Sequence, residues 1–471
     1  MILSVKICAF AAKGGKTVKK GWKSLAAAGL LLEILILLCG CSAPRIIFNP
    51  QELYALPTLP EKYTDLNILL SEILDSGAEY AAPASGTNTQ PVQLVDLNGD
   101  GREEAVAFFR NPNEERPLKI HLFTAGEDSY EHLGVIEGTG TGIYSVAYED
   151  LDGDGYLELM VGWKVAVDQQ VLEVYSLRPS GMVGLVRTDY VKYITLDLDL
   201  DQRKELVAIR ADAEGGGVAD YYSWQADGTL LSQSSARISV SMAELSQQGR
   251  VTAGMLKGEI PALFVTGVTE VPRAITDILA VRNGELSNIV LSEVTGVSSQ
   301  IAPFCTLYPG DLNGDGLTEV PWPTRLLSLE NEGLSYQRVD WYTYDGGGSG
   351  DVVLRTYHNL EDRWYFRLPE EWVNRIWISR TTAPDEAAVT FYILAGEGEE
   401  AAPFLRITAI SGSNRDYRAV RGNRFVLSRQ PEVIYTAELL DANDSWAYGV
   451  TADQVRGAFS LTDTDWVAGD N

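Results

Sequence analysis

DLNGDGREEAVAFF, residues 96–109, starts as an acidic loop and ends as an apolar strand, and it has relatives elsewhere in the chain. The same succession returns as DLDGDGYLELMVGW from Asp150, DLDLDQRKELVAIR from Asp197 and DLNGDGLTEVPWP from Asp311. The spacings are 54, 47 and 114 residues, and the last, near twice the others, predicts a further copy close to residue 253. There GRVTAGMLKGEIPALFVTG (249–267) keeps the flanking apolar segments and lacks the acids. A fixed period of roughly fifty residues marks a repeat architecture, in which each unit buries its faces against its neighbours.

Each unit divides into four strand-like segments. In the first, PVQLV precedes the acidic loop, and EAVAFF, LKIHLFT and YEHLGVI follow it; the second runs SVAYE, loop, ELMVGW, LEVYSL and MVGLVR. Four antiparallel strands in a unit of roughly 40–50 residues is the pattern of a β-propeller blade. The expected fold class is therefore mainly β, a propeller of about five four-stranded antiparallel blades over residues 91–360, one of them without its acidic loop. Beyond 360 the acidic motif never recurs, and the strands YFRLPEEW, RIWISR, AVTFYILA, PFLRITAI and RFVLSRQPEVIYTAEL, with a closing helix in TADQVRGAFSL, read as a smaller C-terminal α+β domain (361–471). The same tail is long enough for two motif-free blades, which would make seven.

Within every loop, oxygen-bearing side chains stand at positions 1, 3, 5 and 9: Asp96, Asn98, Asp100 and Glu104; Asp150, Asp152, Asp154 and Glu158; Asp197, Asp199, Asp201 and Glu205; Asp311, Asn313, Asp315 and Glu319. Alternate positions of a tight loop turn toward one interior point, position 7 can add a main-chain carbonyl, and six to eight oxygens around a point form a calcium shell. Gly101, Gly155 and Gly316 at position 6 permit the positive φ that folds the loop back; Gln202 replaces them in the third loop. An EF-hand starts alike but requires a bidentate Glu at position 12 between two helices. Here position 12 is Ala107, Val161, Ala208 or Trp322, each inside a strand. A dockerin fails too, because its two repeats lie closer together and lead into helices.

An acid at position 9 with a strand behind it resembles the FG-GAP or VCBS repeats of integrin-like propellers and bacterial surface proteins. The resemblance covers roughly residues 90–345. It implies that the side chains just named are calcium ligands, that Arg102, Tyr156, Arg203 and Leu317 offer main-chain oxygens, and that three to four calcium ions bind. Asn98 and Asn313 leave the first and last loops one carboxylate short of the loops between them, and those two sites are expected to bind independently. The degenerate repeat between 237 and 297 is expected to bind none.

The chain begins with a basic segment (Lys6, Lys13, Lys16, Lys19, Lys20, Lys23) and an apolar run from Ala26 to Leu38, which ends in Leu38-Cys39-Gly40-Cys41. This resembles the signal peptide (1–40) and lipobox of bacterial lipoproteins, with Cys41 as the lipidated residue. The expected location is extracytoplasmic, anchored by that lipid to the cell membrane at the bacterial surface. Without residues 1–40 the chain holds 32 basic against 64 acidic side chains, so nucleic acid and anionic headgroups are repelled and cations attracted. Cys305 is then the single remaining thiol, which suits a buried small hydrophobe. A Pro-punctuated tether (41–60) leads to a helix and lead-in (61–90), where Tyr63, Leu66, Leu69, Leu70, Ile73 and Leu74 recur at helical spacing up to Gly77.

Catalytic signatures are missing from the sequence. His121, His132 and His358 are the three histidines, none in a metal-binding spacing, and neither a G-x-S-x-G elbow nor a phosphate-binding glycine loop occurs. The expected function is a calcium-binding, lipid-anchored binding, adhesion or scaffold module for an extracellular protein or glycan, with no catalytic residues. The alternative is a carbohydrate-active enzyme, glycosidase or polysaccharide lyase, whose paired carboxylates need no fixed spacing. Trp364, Trp372 and Trp377 suit either core packing or a sugar-stacking platform.

Overall fold

The structure, a computed structural model, describes residues 63–462 apart from breaks at 128, 139, 179–180, 270–272, 304–305, 329–336 and 395–400. The expected signal peptide, Cys41, the tether and Cys305 lie outside the described residues.

Strand Glu104–Arg110 shows how the sheets are built, because six of its seven residues are buried. Alternate side chains leave a strand on opposite faces, so burial of consecutive residues means that both faces are covered. Val106 and Phe108 join a cluster with Val146, Leu159, Val161 and Trp163 of the next sheet. Ala105, Ala107 and Phe109 meet Leu66 and Leu70 of the helix Thr64–Asp75. That helix ends before Gly77, at φ 97°, and its apolar stripe is the one predicted from the spacing.

Among the described residues six sheets follow in chain order, all but one of their pairings antiparallel. The first pairs Glu104–Arg110 with Leu118–Ala125 and the latter with Tyr130–Gly138, and Glu79–Tyr80 and Val92–Val95 both pair with Glu104–Arg110 along its other edge. The second contains Gly142–Glu149, Glu158–Ala166, Gln169–Arg178 and Gly181–Tyr190; the third, Lys192–Leu196, Glu205–Ala211, Gly217–Trp224 and Leu230–Ile238. The fourth contains Arg250–Leu256, Ile260–Thr269, Arg273–Arg282 and Glu285–Asn288, with Ile301–Pro303 paired beside them. Its first two strands are joined by the short turn 257–259, with positive φ at Gly258 and Glu259, where other sheets carry the acidic loop. The expected loop-free repeat is thus a strand hairpin with no room for the nine-residue motif.

Sheets pack on their neighbours through alternating faces. Met160, Leu172 and Val174 meet Leu206 and Trp224; Val207 and Ile209 meet Leu263 and Val265; Phe264 and Ile278 meet Val320 and Tyr344. Among the described residues no hydrophobic cluster joins the first sheet to the sixth.

Strand pairing runs across the boundary expected at residue 360. The fifth sheet holds Val320–Arg325, Gln337–Tyr344 and Gly350–Asn359, then continues with Trp364–Arg367 and, from the far end of the chain, Phe459–Leu461. The sixth sheet, six-stranded, takes the pair Leu327–Ser328 in parallel with Ile376–Ala383 and continues through Glu386–Ile393, Ala402–Ile410, Ile434–Leu439 and Phe425–Arg429. It is one sheet, where the seven-blade alternative required two. The reason is local: the face of Trp364 and Phe366 is completed by Ile378, Phe391 and Ile407 of the sixth sheet, a single apolar cluster that spans residue 360. Trp364 and Trp372 are each 1% exposed in that cluster, so they pack the core.

Candidate metal centres

The first three acidic loops each join two paired strands of one sheet, the fourth is closed by the bridge Gly310–Glu319 just before Val320–Arg325, and every loop is tied down by a leucine and a glutamate. Leu97, Leu151, Leu198 and Leu312 at position 2 are buried, which is worth about 1.5–3 kcal/mol for each side chain taken fully from water. The main-chain N–H of each donates to Oε2 of the position-9 glutamate, at 3.0 Å for Glu104, 2.9 Å for Glu158, 2.8 Å for Glu205 and 2.8 Å for Glu319. These four carboxylates are at most 1% exposed. The glutamate therefore points back into the loop and does not continue along the strand.

The remaining positions repeat one ladder of hydrogen bonds. Position 1 accepts from the N–H of position 6, at 2.9 Å from Gly101 to Asp96, 3.1 Å from Gly155 to Asp150, 3.0 Å from Gln202 to Asp197 and 2.9 Å from Gly316 to Asp311. Position 3 accepts from position 5. Position 5 accepts from the N–H of Arg102, Tyr156, Arg203 or Leu317, in each case at 2.8 Å. Positions 4 and 6 have positive φ in all four loops: Gly99 and Gly101, Gly153 and Gly155, Gly314 and Gly316, and in the third loop Leu200 at 65° and Gln202 at 76°. The third loop keeps the shape without the glycines and carries the strain of two L-residues in left-handed backbone.

Three loops bring carboxylates together: Asp150, Asp152 and Glu158; Asp197, Asp199 and Glu205; Asp311, Asp315 and Glu319, each set with oxygens within 4.8 Å of one another. Asp154 and Asp201 stand outside these sets. Asp154 turns one oxygen to the Arg178 guanidinium at 3.0 Å, which also reaches Asp152 at 3.2 Å. In the first loop Asp100 is turned to Arg102 at 2.7 Å. Arg178 lies 24 residues beyond Asp154, at the end of the third strand, and no spacing in the sequence marks it.

Position 3 decides how the buried glutamate is satisfied. The amides of Asn98 and Asn313 donate to Oε1 of Glu104 (3.2 Å) and Glu319 (3.4 Å). Asp152 and Asp199 have no proton to give: Oε1 of Glu205 is buried without a partner, and the Glu158 carboxyl, with Oε1 equally buried, is eased only by the Ser176 hydroxyl and the Leu151 N–H. Asp96 Oδ1 is a further orphan. Burial pushes the carboxyls of Glu158, Glu205 and Glu319 up to about 7, and the neighbouring aspartates push in the same direction. Glu104 is raised for the same reasons. A buried carboxylate oxygen with no donor costs several kcal/mol unless a proton or cation meets it, and an all-oxygen donor set suits a hard dication.

A second repeated position went unnoticed in the sequence. Opposite position 12, on the neighbouring strand, stand Glu173, Asp220 and Asp340, and Asp277 holds the matching register in the loop-free sheet. All four are under 10% exposed. Glu173 accepts from Trp163 and Arg187, Asp220 from Arg210 and Ser235, and Asp340 from Arg338. Asp277 accepts from the N–H groups of Ser239 and Val240, Ser239 Oγ and Asn288, and so fastens the link between two sheets. Glu173 and Asp220 both lie 15 residues after the loop glutamate, a signal available in the sequence.

Residues 96–161 match the FG-GAP-like repeat family. The matched stretch spans the first two acidic loops and the strands between them. No curated protein matches the chain. Solved structures with a resemblance include Sqt1 of Saccharomyces cerevisiae, 10% identical over 77% of this chain and 95% of that one, with a TM-score of 0.24. Another is a Bacteroides uniformis protein provisionally assigned as a 6-phosphogluconolactonase, 9% identical over 67% and 82%, also at 0.24.

Proposed function

We propose that this chain is a lipid-anchored, extracytoplasmic module of β-propeller type, stiffened by calcium in its acidic loops, that presents a surface to an extracellular protein or glycan. The observation that carries the reading is the convergence of carboxylates in the second, third and fourth loops, with Glu158 Oε1 and Glu205 Oε1 buried among them. Side chains at positions 1, 3, 5 and 9, with the main-chain oxygens of Arg102, Tyr156, Arg203 and Leu317, would hold three to four ions. The bound cation supplies charge compensation and rigidity rather than chemistry.

The cleft at the other end of strand Glu158–Ala166 from its acidic loop offers one candidate surface for a protein or glycan. Tyr144, Tyr190, Gln170 and Lys192 line it with a single carboxylate, Asp168. Aromatic faces with scattered polar groups suit recognition, whereas glycoside hydrolysis asks for two facing acids. Calorimetric titration of the metal-stripped protein tests the metal reading: three to four calcium ions per chain are expected, and no heat of binding at millimolar calcium would refute it. A glycan and protein array, read with and without calcium, tests the binding role.

A further inference from the structure

In the second to fifth sheets, the position across the strand pair from position 12 or its equivalent carries a buried carboxylate. In the first sheet that position is His121, opposite Ala107, and among the described residues no sheet precedes it. The helix Thr64–Asp75 covers only part of the sheet face that holds His121, and beside it a cavity of about 420 Å³ opens among Leu69, Ile73, Phe109, Glu114, Lys119 and His121. His132, from the neighbouring strand, lines the same cavity, with its Nε2 3.2 Å from His121 Nδ1.

That separation has a metal-binding meaning. Two imidazole nitrogens bound to one tetrahedral ion at about 2.0–2.1 Å lie about 3.3 Å apart. The rings are already held in place: Phe109 meets His121 edge-on at 5.4 Å, and Phe123 meets His132 at 5.3 Å. Burial first, then the second imidazole, holds His121 down to about 4, so the ring is neutral near pH 7 and has a lone pair to offer. We propose that His121 and His132 chelate one borderline divalent transition metal such as zinc, a site separate from the calcium loops, with its other positions held by water in the cavity. Imidazole nitrogen selects zinc, copper or nickel, whereas calcium requires oxygen. The proton now shared between the rings moves to the outer nitrogen of its own ring, so binding needs no net proton release. Lys119 opposes the ion: it lies close enough to His121 to disfavour positive charge there, and it ties up Glu114.

The test is zinc binding to the full chain in saturating calcium, by equilibrium dialysis, with cobalt substituted to read geometry from its visible spectrum. One zinc per chain and a tetrahedral cobalt spectrum are expected. His121→Ala and His132→Ala should each weaken binding by more than about tenfold, since even groups behind a ligand are worth about 10–100-fold. Lys119→Met should tighten it, an effect that a purely structural pair of histidines would not produce. Binding unchanged in His132→Ala, an exposed position, or unaffected by Lys119→Met, would overturn the proposal. So would zinc uptake that disappears with Asp150→Ala instead.

Discussion

Asp152→Asn should stabilise the metal-free protein and weaken its response to calcium, two effects of opposite sign from one atom. Carboxylate oxygens of Asp150, Asp152 and Glu158 lie within 4.8 Å of one another. Each fully ionised pair at that distance repels by roughly 3 kcal/mol at an effective dielectric near 20. The substitution removes Asp152 from two such pairs and places an amide where Asn98 and Asn313 donate to their glutamates, which adds about 1 kcal/mol. It also forfeits the partly exposed pair with Arg178, worth about 0–1 kcal/mol. Arg178 and a fractional proton on Glu158 already relieve much of the repulsion, so the expected net gain is about 1–2 kcal/mol at pH 8 in EGTA. Thermal unfolding should register this as a rise of a few degrees. In millimolar calcium the same variant has one charged ligand fewer, and its calcium-induced rise in Tm should be smaller than that of the parent. A lower Tm in EGTA, or an undiminished calcium response, would refute this role for position 3.

Stability of the metal-stripped protein should fall as pH rises. Glu158, Glu205 and Glu319 have folded values of about 7 against an ordinary 4.5, so their contribution is fully present below 4.5 and is lost through 7. Denaturant unfolding at pH 5 and pH 8 checks this, and calcium should abolish the trend, since it competes with those protons. Leu200→Gly and Gln202→Gly, at φ 65° and 76°, should each stabilise the third loop by about 1 kcal/mol with or without calcium; a loss of stability by either would show that the side chain matters more than the backbone. Asp277→Ala strands four donors and should cost about 3–5 kcal/mol, independent of calcium, because its sheet has no acidic loop.

Several features were readable because they depend on neighbours in sequence. The ladder of position 1 to 6, 3 to 5 and 5 to 7 closes within nine residues, so the spacing of Asp150, Asp152 and Asp154 nearly dictates the loop. Strand boundaries followed from apolar runs such as ELMVGW, buried on both faces. The helix at 64–75 was legible from its stripe. What could not be read was any partner brought in from a distance. Arg178 reaches Asp152 and Asp154 only because the third strand returns beside the loop, and no local pattern announces it.

The division at 360 shows the same limit on a larger scale. A motif that stops recurring looks like the end of a domain, yet Trp364–Arg367 extends the fifth sheet and Phe459–Leu461 returns to pair with it from about a hundred residues away. Backbone hydrogen bonding and apolar packing decide where a sheet ends, and both are satisfied by whatever strand arrives in space. By itself the sequence determined the repeat, the loops and the chemistry of their oxygens, since these arise within a few bonds' reach. Only the tertiary structure decided which oxygens are left without a partner, and that His121 and His132 share one cavity. Burial and cross-strand distance exist only once the chain has folded.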